Sequence, residues 1–171
     1  MNAQEEKAKL PQGHLSFMGI EIDGKINNFE KELKKKGIIR DRQYDILPKE
    51  FFKSFRLYKG FFSHDFADFM VEFDKETKIV YQVKVLIKYD SLASLDEGYE
   101  SYCLKLCKKY PKSRVLNKER NENDLKLAIP DSNFDEFVGI IIAKRTVEQE
   151  KDSYNLVLQY FDITSVQRNL E

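Results

Sequence analysis

Residues 66–90 read FADFMVEFDKETKIVYQVKVLIKYD, and residues 134–162 read FDEFVGIIIAKRTVEQEKDSYNLVLQYFD. In the first stretch Tyr81, Val83, Val85, Ile87 and Tyr89 fall on one side of an extended chain. Gln82, Lys84 and Lys88 fall on the other, and only Leu86 breaks the rule, so 80–89 is predicted as a strand with one core face and one largely wet face. Just upstream, Phe69, Val71 and Phe73 alternate with Met70, Glu72 and Asp74. That predicts a second strand over about 66–73, with DKETK as the polar hairpin loop between the two. The second stretch echoes the first. Both open on phenylalanines flanking an acid, both contain a charged hairpin connection, and both close on an aromatic followed by Asp. Strands are expected there at 125–129, 137–143 and 154–161, and the echo suggests an internal duplication.

Working outward, LSFMGIEIDGKINNFEKELKKKG (15–37) begins with strand material at Phe17, Ile20 and Ile22, turns at Asp23-Gly24, and enters a helix. Ile26, Phe29 and Leu33 give that helix one apolar stripe. Lys34 to Lys36 complement its C-terminal dipole, and Gly37 supplies the left-handed residue that ends it. A strand is expected at about 53–62. A second helix follows the 80–89 strand, with Ser94 and Glu97 spaced as a capping box and Leu95, Tyr99, Tyr102, Cys103, Leu106 and Tyr110 at helical intervals up to Pro111. Residues 112–124 are charge-rich and read as an exposed loop. The expected fold class is α+β, an antiparallel sheet with two helices packed on one face, built as a tandem α-β-β-β repeat. The expected organisation is a flexible arm at 1–14, a single domain at 15–168 with half-repeats 15–90 and 91–168, and a tail at 169–171 that a cloning site could equally supply.

The chain has 171 residues, with 29 Lys+Arg against 29 Asp+Glu. This length supports one sizeable core, and the balanced charge provides no field to attract nucleic acid. Apolar runs are only a few residues long, so no membrane insertion is expected. The polar opening MNAQEEKAK would suit an exported chain already trimmed of its leader. A periplasmic or envelope location is expected in that case, and a cytoplasmic one otherwise.

FMGIEIDGKINNFEKELKKKG, LYKGFFSHDFADFMVEF, a tyrosine-rich helix ending KKYP and a late LQYFD together resemble a family of small uncharacterised proteins of gut bacteria, many of them exported. The element order is also similar to the fold of the β-lactamase-inhibitor-protein class. The resemblance brings no functional residues with it.

The sequence contains no nucleophile elbow, phosphate loop or dinucleotide fingerprint, so no catalytic residue is assigned. His14 and His64 are too few for most metal sites. The grouping of His64, Asp65 and Asp68 reads as a turn, and no metal or cofactor is expected. Cys103 and Cys107, four apart on the second helix, read as buried apolar thiols. Aromatics are dense along Phe51, Phe52, Phe55, Tyr58, Phe61, Phe62, Phe66, Phe69 and Phe73. A strand buries only one parity, so if Phe55, Leu57 and Phe61 face the helices, Tyr58 and Phe62 lie on the open face. Tyr58 and Phe62 are therefore the candidate binding residues of a non-enzymatic interaction module whose partner is another protein or a second copy. The alternative is a small hydrolase or ligand-binding domain that uses acidic residues near the hairpin loops, among them Glu72, Asp74 and Glu76.

Overall fold

A computed structural model describes residues 13–116 and 124–170. A short ribbon, β1 (Ser16–Phe17) and β2 (Ile20–Glu21), leads into α1 (Ile26–Lys35). Then come β3 (Ile39–Arg40), two short 3₁₀ turns within 42–52, β4 (Phe55–Phe62), β5 (Asp65–Phe73), β6 (Val80–Tyr89) and α2 (Leu92–Lys109). The chain closes with β7 (Arg114–Val115), β8 (Asp124–Pro130), β9 (Phe137–Glu148), β10 (Ser153–Asp162) and α3 (Ile163–Leu170).

Eight strands form one antiparallel sheet in the order β3-β4-β5-β6-β10-β9-β8-β7. The protein is α+β, as its alternation and helical stripes predict. The sheet order also exposes the repeat: each half runs helix and then a four-stranded meander, and the two halves join through their last strands, β6 and β10, in antiparallel register. The expected unit had three strands. The fourth in each half is only two residues long, β3 or β7, too short to produce a readable period, and these stubs form the two edges of the sheet. Short edges limit unwanted strand pairing.

All three helices pack on one side. In α1, Ile26, Phe29 and Leu33 are buried, and Glu30 reaches Arg56 and Tyr58 on β4. α2 lies over β6, β10 and β9, with Leu95, Tyr102 and Leu106 buried. Its cap is one turn earlier than the Ser94–Glu97 pattern predicts: the Ser91 side chain accepts from the Ser94 N–H, 3.1 Å away. α3 was not foreseen, and it removes the expected tail. Asn169 lies in this helix and accepts from the Thr77 hydroxyl at 2.8 Å, so of 169–171 only Glu171 lies outside the described residues. Residues 1–12 of the expected arm also lie outside them. Gly13 and His14 are fastened down, to Thr164 and Asp162.

The core between sheet and helices is one cluster. Phe69, Val71 and Phe73 of β5 meet Val83, Val85 and Ile87 of β6 and Leu156, Leu158 and Tyr160 of β10. The β1–β2 ribbon contributes Leu15, Phe17, Ile20 and Ile22 to the same side.

Under α2 the packing leaves no room at Gly98. A Cβ built there would lie 2.2 Å from the Tyr89 hydroxyl oxygen and 2.4 Å from its ring. The Gly98→Ala helix gain of about 0.5–1 kcal/mol is therefore outweighed by an overpacking cost of about 1–3 kcal/mol, because the obstacle is a rigid ring. A lowered urea midpoint is the expected result, and an unchanged or raised midpoint would show that the ring can move aside. The Tyr89 hydroxyl is buried with no hydrogen-bond partner among the described residues, and burial, then Asp65, raises its pKa to about 12. Its deletion in Tyr89→Phe should leave the midpoint unchanged or raise it.

Candidate functional site

The sheet has a second face, and among the described residues no helix covers it. Strand register defines its rows. Leu57, Met70, Lys84, Gln159, Ile142 and Lys126 lie across from one another in one row, and Phe55, Glu72, Gln82, Phe161, Ile140 and Ala128 in the next. Its polar groups are tied together. Gln82 donates to Glu72, Gln159 donates to Gln82 at 2.5 Å, and Lys84 lies 3.4 Å from Glu72. Lys88 pairs with Asp68 at 3.5 Å and Lys126 with Asp124 at 3.7 Å.

At one corner the face becomes aromatic. The β4–β5 hairpin turns through Ser63 and His64, Ser63 carrying a φ of +57°, and closes on Phe62 opposite Asp65. The next pair along, Phe61 opposite Phe66, points to the open face. Their rings lie 5.6 Å apart, nearly perpendicular, at 63% and 57% exposure. On the core side the Tyr102 hydroxyl donates to Asp65 at 2.7 Å and contacts the Phe62 carbonyl at 3.1 Å, anchoring the hairpin to α2. Phe61 and Phe66 are thus held out by a fixed support.

This placement corrects the sequence-derived parity. Tyr58 is 1% exposed and lies on the core face opposite Phe69, its hydroxyl donating to Glu30 at 2.6 Å. Burial, followed by that hydrogen bond, pushes the phenol far above its usual pKa. Glu30 moves the other way: burial resists its ionisation, and the bonds from Tyr58 and Arg56 overcome that and hold its carboxyl below the usual range. Phe62 also faces the core, stacked on Phe17 and on Tyr102 with centroids 5.8 and 5.7 Å away. The physical cause is Gly60, whose missing side chain lets Gly37 and Ile38 lie against β4: a Cβ there would meet the Gly37 carbonyl oxygen at 3.0 Å. With Gly60 on the helix side, Tyr58 and Phe62 must be there too.

The acidic candidates do not converge. Glu72 is committed to Gln82 and Lys84 on the open face. Asp74 closes the β5–β6 turn by accepting from the Thr77 and Glu76 N–H groups, which hold its carboxyl below the usual range, and Glu76 is exposed. Asp65 and Asp68 project to opposite faces of β5, so they cannot join His64 around one ion; no metal-holding cluster exists among the described residues. Cys103 is half-buried and Cys107 exposed, so the reading of both as buried thiols is wrong. The predicted stripe on α2 holds, with Leu95, Tyr102 and Leu106 buried and Tyr99, Cys103 and Tyr110 packed partly buried against the core.

One buried polar cluster was not foreseen. Asp162, with no exposure, accepts from the Leu15 N–H at 2.6 Å, the Ser165 N–H at 2.7 Å and the His14 ring at 3.1 Å. Asp162 therefore caps α3 and clamps the β1–β2 ribbon. The Ser165 hydroxyl donates to the Ile22 carbonyl at 2.7 Å, away from His14, so no serine–histidine relay forms. The Asp162–Ser165 spacing was the available sequence signal.

No family model, curated protein or solved structure matches the chain. No helix among the described residues is long and apolar enough to cross a membrane.

Proposed function

We propose that the protein is a non-enzymatic interaction module that holds a partner protein on its uncovered sheet face, with Phe61 and Phe66 as the anchor. The observation that carries this reading is the side-by-side exposure of those two rings on a hairpin pinned from behind by Tyr102. Exposed aromatics of this kind contribute much contact area at small entropic cost, and anchors seated on a rigid support carry a disproportionate share of binding energy. Among the described residues, no converging pair of carboxylates and no nucleophile aligned with a base supports the hydrolase alternative.

The test is a Phe61→Ser, Phe66→Ser double variant. Both side chains are largely in water, so the urea midpoint should move by less than about 0.5 kcal/mol per substitution. Capture of partners from an extract of the source cells should fall about tenfold or more. Capture that is undiminished while the fold is intact would remove the sheet face from the account of function.

A further inference from the structure

We infer, building on that reading, that the partner presents an acidic, amphipathic segment, and that it is held along the β3–β4 rim of the sheet by cations interleaved with apolar side chains. The exposed large hydrophobics are unevenly distributed. Ile39, Tyr44, Ile46, Leu47, Phe61 and Phe66 all fall within 28 residues of chain, with Ile46 at 91% exposure. Every residue from Arg42 to Glu50 is exposed, so this connection fully buries none of its own apolar groups. It is nonetheless fastened to the sheet. The Asp41 N–H donates to the Leu57 carbonyl at 2.8 Å, the Asp41 carboxylate accepts from the Gln43 N–H at 3.2 Å, and Lys59 lies 3.8 Å from it. Ile39 sits opposite Lys59 on β4, two residues from Phe61, so the rim and the aromatic corner share one edge.

Charge identifies the occupant. Within 37–62 there are six cations, Arg40, Arg42, Lys49, Lys53, Arg56 and Lys59, against three carboxylates, Asp41, Asp45 and Glu50, in a chain whose total charge is zero. Arg56 is held by Glu30 on the helix side and Lys59 lies against the buried Asp41, so the surplus on the exposed rim rests on Arg40, Arg42, Lys49 and Lys53 against Asp45 and Glu50. A second copy would bring the same cations against each other across a two-fold axis, whereas an acidic segment with apolar anchors satisfies both the charge and the hydrophobics.

The test is selection of displayed random peptides on the whole chain, repeated on the Phe61→Ser, Phe66→Ser variant and on an Arg42→Ser, Lys49→Ser, Lys53→Ser variant. An enriched pool that is net acidic and carries apolar residues, weakens as salt is raised, and loses about tenfold or more in recovery on each variant is the expected result. A pool that depends on the phenylalanines but is neutral or basic overturns the acidic partner and leaves the interaction face standing. A pool recovered equally on the phenylalanine variant overturns both. No enrichment, cosedimentation with phosphatidylserine vesicles, or a solution dimer broken by the phenylalanine variant each overturns the acidic-segment assignment.

Discussion

Phe17→Ala should cost about 3–5 kcal/mol of folding stability, the range for emptying a large buried aromatic site. Phe17 has no exposure, and its ring ties the β1–β2 ribbon, a separate two-stranded sheet, to three strands of the main sheet. It stacks on Phe62 of β4, nearly parallel, and meets Phe69 of β5 and Tyr160 of β10 edge-on at 6.1 and 5.0 Å. The cavity cannot collapse cheaply, because all three surrounding rings stand on strands hydrogen-bonded into the sheet. The loss would be a large fraction of the roughly 5–15 kcal/mol that holds an ordinary domain folded. Urea denaturation measures it, with Phe61→Ala as a control expected within about 0.5 kcal/mol of wild type. A Phe17→Ala loss below about 1 kcal/mol would show that the β1–β2 ribbon contributes little to the core.

Asp162→Ala should be comparably severe, about 3–5 kcal/mol, because it removes the acceptor from three donors at once, two of them buried backbone N–H groups, that of Leu15 and that of Ser165 in the first turn of α3. Asp162→Asn keeps one acceptor oxygen and should cost less. His14 adds a pH signature. Its hydrogen bond to Asp162 outweighs burial and, with the nearby Asp162 and Asp23 charges and against Arg168, raises its pKa above 6.5. The folded state then holds the His14 proton more tightly than the unfolded chain does. The stability gained is complete below the ordinary value and is lost as pH climbs through the raised one. Wild type should therefore lead His14→Gln by more at about pH 6 than at about pH 9. A difference independent of pH would mean that His14 acts only through packing.

The strands over 66–73, 80–89 and 154–161 were legible because one side of each is wholly apolar, while the other carries polar groups interrupted by residues such as Met70, Leu86 and Val157. β4 was harder. In FRLYKGFF both parities carry aromatics, so the strand alone cannot say which side is buried. The answer was present one step away. A two-residue turn at Ser63-His64 sets Phe62 opposite Asp65, and hence Tyr58 opposite Phe69, which alternation had already assigned to the core. Reading the turn before the strand would have moved the candidate anchor from Tyr58 and Phe62 to Phe61 and Phe66. The connection at 42–50 carried no periodic signal at all, and its Ile46 and Leu47 stay exposed. α3 was missed because eight residues containing Ile, Thr and Val make a weak helical pattern, and only the Asp162 cap marks its start.

The junction of β6 with β10 has a kinetic consequence. Residues paired across it are separated by 65 positions, as between Tyr89 and Tyr154, up to 79, as between Gln82 and Phe161. β4 and β5, β5 and β6, and β9 and β10 are joined by short turns, so those pairings close small loops and can form early. The central pairing has to close most of a half-chain before any bond repays the lost freedom, which places this protein among slow-folding topologies on the millisecond-to-second scale. Each half must wait, with one strand edge bare, for the other to arrive.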